Sequence, residues 1–145
     1  MTTRLYVLDT DSLSLLKRGH EQITKRLNAV PLVWRATTVI TAEEQMRGRL
    51  TQIGRAKNME QLIFAYWQFQ DTLFDFTKIR LLSFDQSASI VFKNLQHLKT
   101  RIGTSDLRIA AITLSNNGIL VTANQRHFGQ IPGLVLEDWT INPNQ

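Results

Sequence analysis

Residues 102–139, IGTSDLRIAAITLSNNGILVTANQRHFGQIPGLVLEDW, contain a complete helix-to-strand passage whose polar positions act as punctuation. Asp106 stands at the start of an apolar-faced helix carrying Leu107, Ala110, Ala111 and Leu114, and Asn116, Asn117 and Gly118 close it. Residues 119–121 follow as an uninterrupted apolar strand that runs into Thr122, Ala123 and Asn124, and residues 134–136 read as a further strand. Strands without alternation are buried on both faces, as in parallel sheets. The N-terminus repeats the device: residues 5–8, LYVL, give way to Asp9, Thr10, Asp11 and Ser12, which are turn and helix-cap residues. An acid again occupies the carboxyl end of a strand.

The intervening chain reads as scaffold. Leu13, Leu15 and Leu16 begin a helix broken near Gly19, and Ile23, Leu27 and Val30 mark another that ends at Pro31. Residues 33–41 include the β-branched run Thr37, Thr38, Val39, Ile40 and Thr41, which predicts a second strand; Ala42 to Met46 favour helix. Successive helical residues are about 100° apart, so at most one of Glu43 and Glu44 faces a shared interior site. Gly48 and Gly54 mark a loop or helix end carrying Arg47, Arg49, Arg55 and Lys57. Met59, Leu62, Ile63, Tyr66 and Leu73 follow the spacing of a long amphipathic helix, while Phe64, Trp67, Phe69, Phe74 and Phe76 spread apolar surface around its other sides. That excess fits either a helix packed on a partner chain or a central helix buried on two sides. Residues 79–83 predict a third strand, Asp85 an N-cap, and Ala88, Val91, Phe92, Leu95 and Leu98 the face of the next helix.

Strands alternating with helices indicate an α/β fold with a parallel sheet covered on both faces. At 145 residues and 43% hydrophobic, the chain fits one domain, residues 1–145, with a core that needs no covalent staples. Cysteine is absent, which removes disulfides, thiolate metal sites and cysteine nucleophiles. The N-terminus meets Asp9 and Asp11 before any apolar segment long enough for a signal core or a membrane span, so a cytoplasmic protein is expected. Seventeen Lys and Arg against twelve acids give a formal charge of +5 and a pI near 10.0. Such a surface attracts polyanions, but solubility alone accounts for it equally well, and specificity has to come from a site.

Three acids, Asp9, Glu44 and Asp106, each follow a strand end or open a helix, and Asn124 lies just past the fourth strand. In open parallel sheets ligands bind beyond the carboxyl ends of the strands. Gathered carboxylates repel one another unless a cation joins them, and a hard divalent ion such as Mg²⁺ or Mn²⁺ takes oxygen ligands. No histidine is among the four positions, which argues against zinc. Singly, each residue has a plainer role: Asp9 and Asp11 as caps, Asp106 as a charge on a helix dipole, Asn124 in a turn, Glu44 on a solvated helix face.

Taken together, Asp9 in VLDTDSL, Glu44 in TVITAEEQMRG, Asp106 in IGTSDLRIAA and Asn124 in LVTANQRHFGQIPGLVLEDW resemble the PIN-domain ribonucleases of the VapC toxin type, over nearly the whole chain. The C-terminal block is the specific part: Ile102, Gly103, Asp106, Ile109, Ala110, Ala111, Leu120, Val121, Thr122, Asn124, Phe128, Gly133, Leu134 and Trp139 match in order. Asp11, Gln45 and Thr104 stand where the family usually has Asn, Leu and often Pro, and Asn124 replaces the Asp of some members. The resemblance implies a three-layer α/β/α PIN-like fold with a central, mostly parallel sheet of about five strands. It implies a toxin endoribonuclease of a toxin–antitoxin pair, hydrolysing RNA with a metal-activated water. Asp9, Glu44 and Asp106 would hold one or two Mg²⁺ or Mn²⁺ ions, with Asn124 orienting water or a ligand and the hydroxyls of Thr10 and Thr122 holding carboxylates in place. Arg47, Arg49, Lys99, Arg101 and Arg126 are candidates for the RNA backbone, by proximity in sequence. A small antitoxin and a homodimer are the implied partners, with Tyr66 and Trp67 on a candidate docking surface.

Two other readings stand beside it. A PIN-like module that binds RNA or a partner but cleaves poorly would follow if Asn124 weakens the metal site. A haloacid-dehalogenase-type phosphatase would explain the Asp-x-Asp at Asp9 and Asp11, but it needs a Lys late in the chain, and no Lys follows Lys99.

Overall fold

The computed structural model of the chain describes residues 4–142. Its strands are β1 (Tyr6–Leu8), β2 (Arg35–Thr38), β3 (Arg80–Leu82), β4 (Ile119–Val121) and β5 (Val135–Glu137). They form one sheet in the order β3–β2–β1–β4–β5, and every neighbouring pair is parallel. The helices are α1 (Thr10–Lys17), α2 (Glu21–Asn28), α3 (Val39–Arg55), α4 (Met59–Asp75), α5 (Gln86–Gln96), α6 (Thr104–Ser115) and α7 (Gln125–Phe128).

Alternation along the central strands sorts the core into two layers. Val7 of β1 and Leu120 of β4 join Ile40, Ala88, Leu95, Leu107 and Ala111 on the side of α3, α5 and α6. Their neighbours Leu8 and Val121 point the other way, to Ile23 and Leu27 of α2 and to Trp139. The sheet is therefore covered on both faces, as its apolar strands require. Each fully buried Leu or Val contributes about 1.5–3 kcal/mol, more than the net of a ladder hydrogen bond, so side chains rather than backbone pairing hold these three-residue strands.

Local departures from the sequence expectations have local causes. The second strand stops at Thr38, because Thr38 Oγ1 accepts the Thr41 N–H at 3.1 Å and caps α3; Val39, Ile40 and Thr41 are helical despite their β-branched side chains. Gly54 marks the end of α3, one of the two expected settings, whereas Gly48 lies inside the helix at an uncrowded position, where packing against α4 offsets its poor helix propensity. The predicted apolar face of α4 is largely on the outside: Met59, Ile63, Tyr66 and Leu73 are exposed, and only Ala65 and Thr72 are buried. The helix is thus not buried on two sides. The last strand is displaced by one residue from its expected span, and the short α7 was not expected at all. Asn117, at φ 52°, takes the left-handed conformation that ends α6, as Asn tolerates.

From β1 the chain goes to β2 and β3 on one side, then crosses to β4 and β5 on the other. The strand order therefore reverses between β1 and β4, and the crevice beyond their carboxyl ends is where such sheets take ligands. Both α1 and α3 begin at that edge. Because α6 leads back to the amino end of β4, its own first turn lies there too.

Candidate active site

Asp9 is the N-cap of α1: its Oδ1 accepts the Ser12 N–H at 2.9 Å. Two donors, the Asp9 N–H at 3.1 Å and the Ser12 hydroxyl at 3.0 Å, converge on the Val121 carbonyl, tying the mouth of β1 to that of β4. Thr37 Oγ1 closes the other side by donating to the Leu8 carbonyl at 2.8 Å. Asp9 is only 5% exposed, and burial pushes its carboxyl above the usual carboxylate range, even though Thr122 and Ser12 hydrogen bonding pulls the other way. Among the described residues it has no cationic partner.

Glu44 sits on the second turn of α3, where Thr10 Oγ1 donates to its Oε1 at 2.6 Å; Thr10 Oγ1 also lies 3.2 Å from Thr41 Oγ1. Glu43, one position earlier, points outward and pairs with Arg47 at 2.7 Å. Both border one depression, so the helical offset gives the two glutamates different partners rather than separate surroundings.

Asp106 lies in the first turn of α6, whose N-cap Gly103 supplies no side-chain cap. Its Oδ2 is 3.0 Å from Nε2 of His127 on α7. Asn124 is the N-cap residue of α7 but makes no side-chain cap bond; its backbone N–H goes to Thr122 Oγ1 at 3.0 Å. The side chain brought against Asp106 is therefore His127, which sequence reasoning missed. Its signal was faint: a His three residues past an exposed Asn becomes meaningful only once α7 folds back on α6.

The basic candidates scatter. Arg47 lines a depression of about 380 Å³ with Glu44, Ser105 and Arg108. Arg108, absent from the sequence-based set, lies with its guanidinium over the Phe92 ring at 5.6 Å. Arg49 turns into the seam between α3 and α4, donating to Thr72 Oγ1 at 3.0 Å. Lys99 and Arg101 are exposed between α5 and α6, and Arg126 is exposed on α7. Glu44 also borders a larger groove, about 850 Å³, whose lining includes Lys17, Arg18, Arg35 and Arg49. Tyr66 and Trp67 stand out from α4, where Trp67 stacks on Phe64 at 6.1 Å.

The donor chemistry of these acids suits a hard divalent cation. Buried Asp9 has no cationic partner among the described residues, and a divalent ion would balance its charge. The acids are not closed around a common point, however: among the described residues no three His, Asp or Glu side chains form a group able to hold a metal ion. Glu44 is engaged by Thr10 and Asp106 by His127.

An all-parallel five-stranded sheet between helical layers, with an acid at the end of the central strand and another opening α6, defines a PIN-like α/β protein. Within that class the chain is similar to the VapC toxins, in sequence as in fold. It is 26% identical to Ribonuclease VapC2 of Rickettsia felis over 141 residues, 93% of this chain and 98% of that protein. VapBC from Salmonella typhimurium, solved bound to DNA, aligns with a TM-score of 0.74 and 26% identity over 94% of this chain and 98% of the other. VapBC-1 from nontypeable Haemophilus influenzae aligns with a TM-score of 0.73 and 25% identity, covering 94% and 99%. No protein-family model matches the chain. Among the described residues no helix is long and apolar enough to cross a membrane.

Proposed function

We propose that this protein is the toxin of a toxin–antitoxin pair, a single PIN-like domain acting in the cytoplasm as a metal-dependent endoribonuclease. The observation that carries the proposal is Asp9: an acid at the carboxyl end of the central strand, buried, unpaired with any cation among the described residues, and beside the point where strand order reverses. Similarity to a ribonuclease over nearly the whole chain supports the reaction class.

Asp9, Glu44 and Asp106 are the proposed holders of Mg²⁺ or Mn²⁺. When bound, such an ion neutralises phosphate charge and acidifies a water. The chain's own residues do the orienting. Thr10 fixes Glu44 through its 2.6 Å hydrogen bond, and Thr122 and Ser12 hold Asp9. Asn124, at the rim, offers an uncharged amide to water or substrate. Arg47 and Arg108 beside Glu44, with Arg126, Arg101 and Lys99 further out, attract the RNA backbone. Arg49, donating to Thr72 and Gln52, is the least available of the basic candidates. The exposed face around Tyr66 and Trp67 is the proposed seat of the antitoxin, and the chain forms a homodimer.

Cleavage of a mixed RNA pool with Mg²⁺ or Mn²⁺, against EDTA and against Asp9→Asn and Asp106→Asn, tests the proposal. Wild type is expected to cut only with metal, and both variants to lose most of that activity. Equal cleavage by all three proteins would remove the site. RNA bound by all but cut by none, with affinity falling steeply in salt, would make the protein a binding module.

A further inference from the structure

Of the four positions the sequence brought together, only Asp106 meets an imidazole, and that contact links two elements far apart in the chain. His127 Nε2 lies 3.0 Å from Asp106 Oδ2 across a separation of 21 residues. A carboxylate oxygen accepts, so this contact is a hydrogen bond in the imidazole form that carries a proton on Nε2. The ring is itself held. It stands edge-on to Phe128, with centroids 5.3 Å apart at 81°, and Phe128 is 2% exposed in the main core. Gln130 Nε2 fixes the His127 backbone by donating to its carbonyl at 3.2 Å. Asp106, by contrast, is half-exposed at the start of a helix that has no side-chain cap. A helix dipole favours its charge but leaves its rotamer free.

We infer that His127 is the positioning residue for Asp106: by engaging Oδ2 from the core-anchored α7, it holds the carboxylate in one orientation with Oδ1 available to a divalent cation. The inference rests on the proposed metal-dependent reading, and it places a histidine behind an oxygen ligand rather than among the ligands. Carboxylates that bind metals are commonly held by a hydrogen bond of this kind, and loss of the partner costs about 10–100-fold in metal affinity. A purely structural tie between α6 and α7 predicts lower thermal stability and unchanged metal affinity.

Calorimetric titration of Mn²⁺ into the full chain, with a thermal melt of each protein, separates these cases. His127→Phe keeps an aromatic ring against Phe128 and removes the donor; its Mn²⁺ affinity is expected to fall about 10–100-fold. His127→Gln restores an N–H donor and is expected to recover most of that loss. Asp106→Asn provides the reference. If Asp106→Asn binds Mn²⁺ like wild type, the metal reading of this site fails. If Asp106→Asn loses affinity while His127→Phe keeps it, whatever its melting temperature, the metal reading survives and the positioning role is overturned. Equal weakening of His127→Phe and His127→Gln likewise overturns it, because the hydrogen bond would then not be the cause.

Discussion

Thr10→Val exchanges a hydroxyl for a methyl of nearly the same shape, and it removes the donor that holds Glu44 Oε1 at 2.6 Å. A hydrogen bond to a charged group has a net value of about 1.5–3 kcal/mol, and water competes where partners are half-buried, as Thr10 and Glu44 are. Screening by water discounts that range to about 1 kcal/mol. No buried charge is stranded by the change, since Glu44 borders open grooves on two sides and regains water. The Thr41 hydroxyl, 3.2 Å from Thr10, still has Thr38 Oγ1 at 3.4 Å. In a chain of this length about 1 kcal/mol lowers Tm by about 3 °C. The assay is urea unfolding of wild type, Thr10→Val, Glu44→Ala and the double variant, assembled as a cycle. A coupling near 1 kcal/mol is expected. A coupling inside the roughly 0.3–0.5 kcal/mol scatter of independent sites would show that the short contact does not hold Glu44, and the positioning attributed to Thr10 would be refuted.

Burial raises the Asp9 carboxyl, so the folded protein holds this proton to higher pH than the unfolded chain does. Stability therefore falls as pH rises from the usual carboxylate range through the raised value, and the full cost persists above it. In metal-free buffer Asp9→Asn, which retains a cap acceptor, should be more stable than wild type at neutral pH, with the difference closing in acid; chemical unfolding across pH measures it. Trp139 is 2% exposed, donates to Glu137 Oε1 at 2.9 Å and packs on Tyr6 at 5.4 Å, so Trp139→Ala should cost about 3–5 kcal/mol by denaturant titration. Phe64→Ser with Trp67→Ser, on the outer face of α4, should change stability by less than about 0.5 kcal/mol per site while reducing self-association or antitoxin binding in light scattering and pull-down.

The sheet was legible because β1 and β4 are apolar throughout, and only burial on both faces makes that pattern favourable. Asp85 was legible as a cap for the same kind of reason: its Oδ1 accepts the Ala88 N–H at 2.9 Å, a bond set by positions three apart. Helix geometry limited the choice to at most one of Glu43 and Glu44, and the resemblance to the PIN-domain family selected Glu44. By contrast, α3 runs through Gly48 with α4 packed against it, a contact local propensity does not contain. The direction of the α4 face stayed open between a partner surface and burial on two sides, because periodicity gives a stripe its width but not its direction; the exposure of Met59, Ile63, Tyr66 and Leu73 excludes the second. His127 was invisible because its partner is on another helix.

Placing the first strand in the middle of the sheet has a consequence for biosynthesis. The Ser12 hydroxyl and the Asp9 N–H both rely on the Val121 carbonyl, and that group is translated 109 positions after Ser12. A nascent chain that has already emerged with Asp9, Glu44 and Asp106 still lacks β4, and β1 remains an open edge with nothing to seat the first acid. The crevice closes only once β4 has followed α6 out of the ribosome.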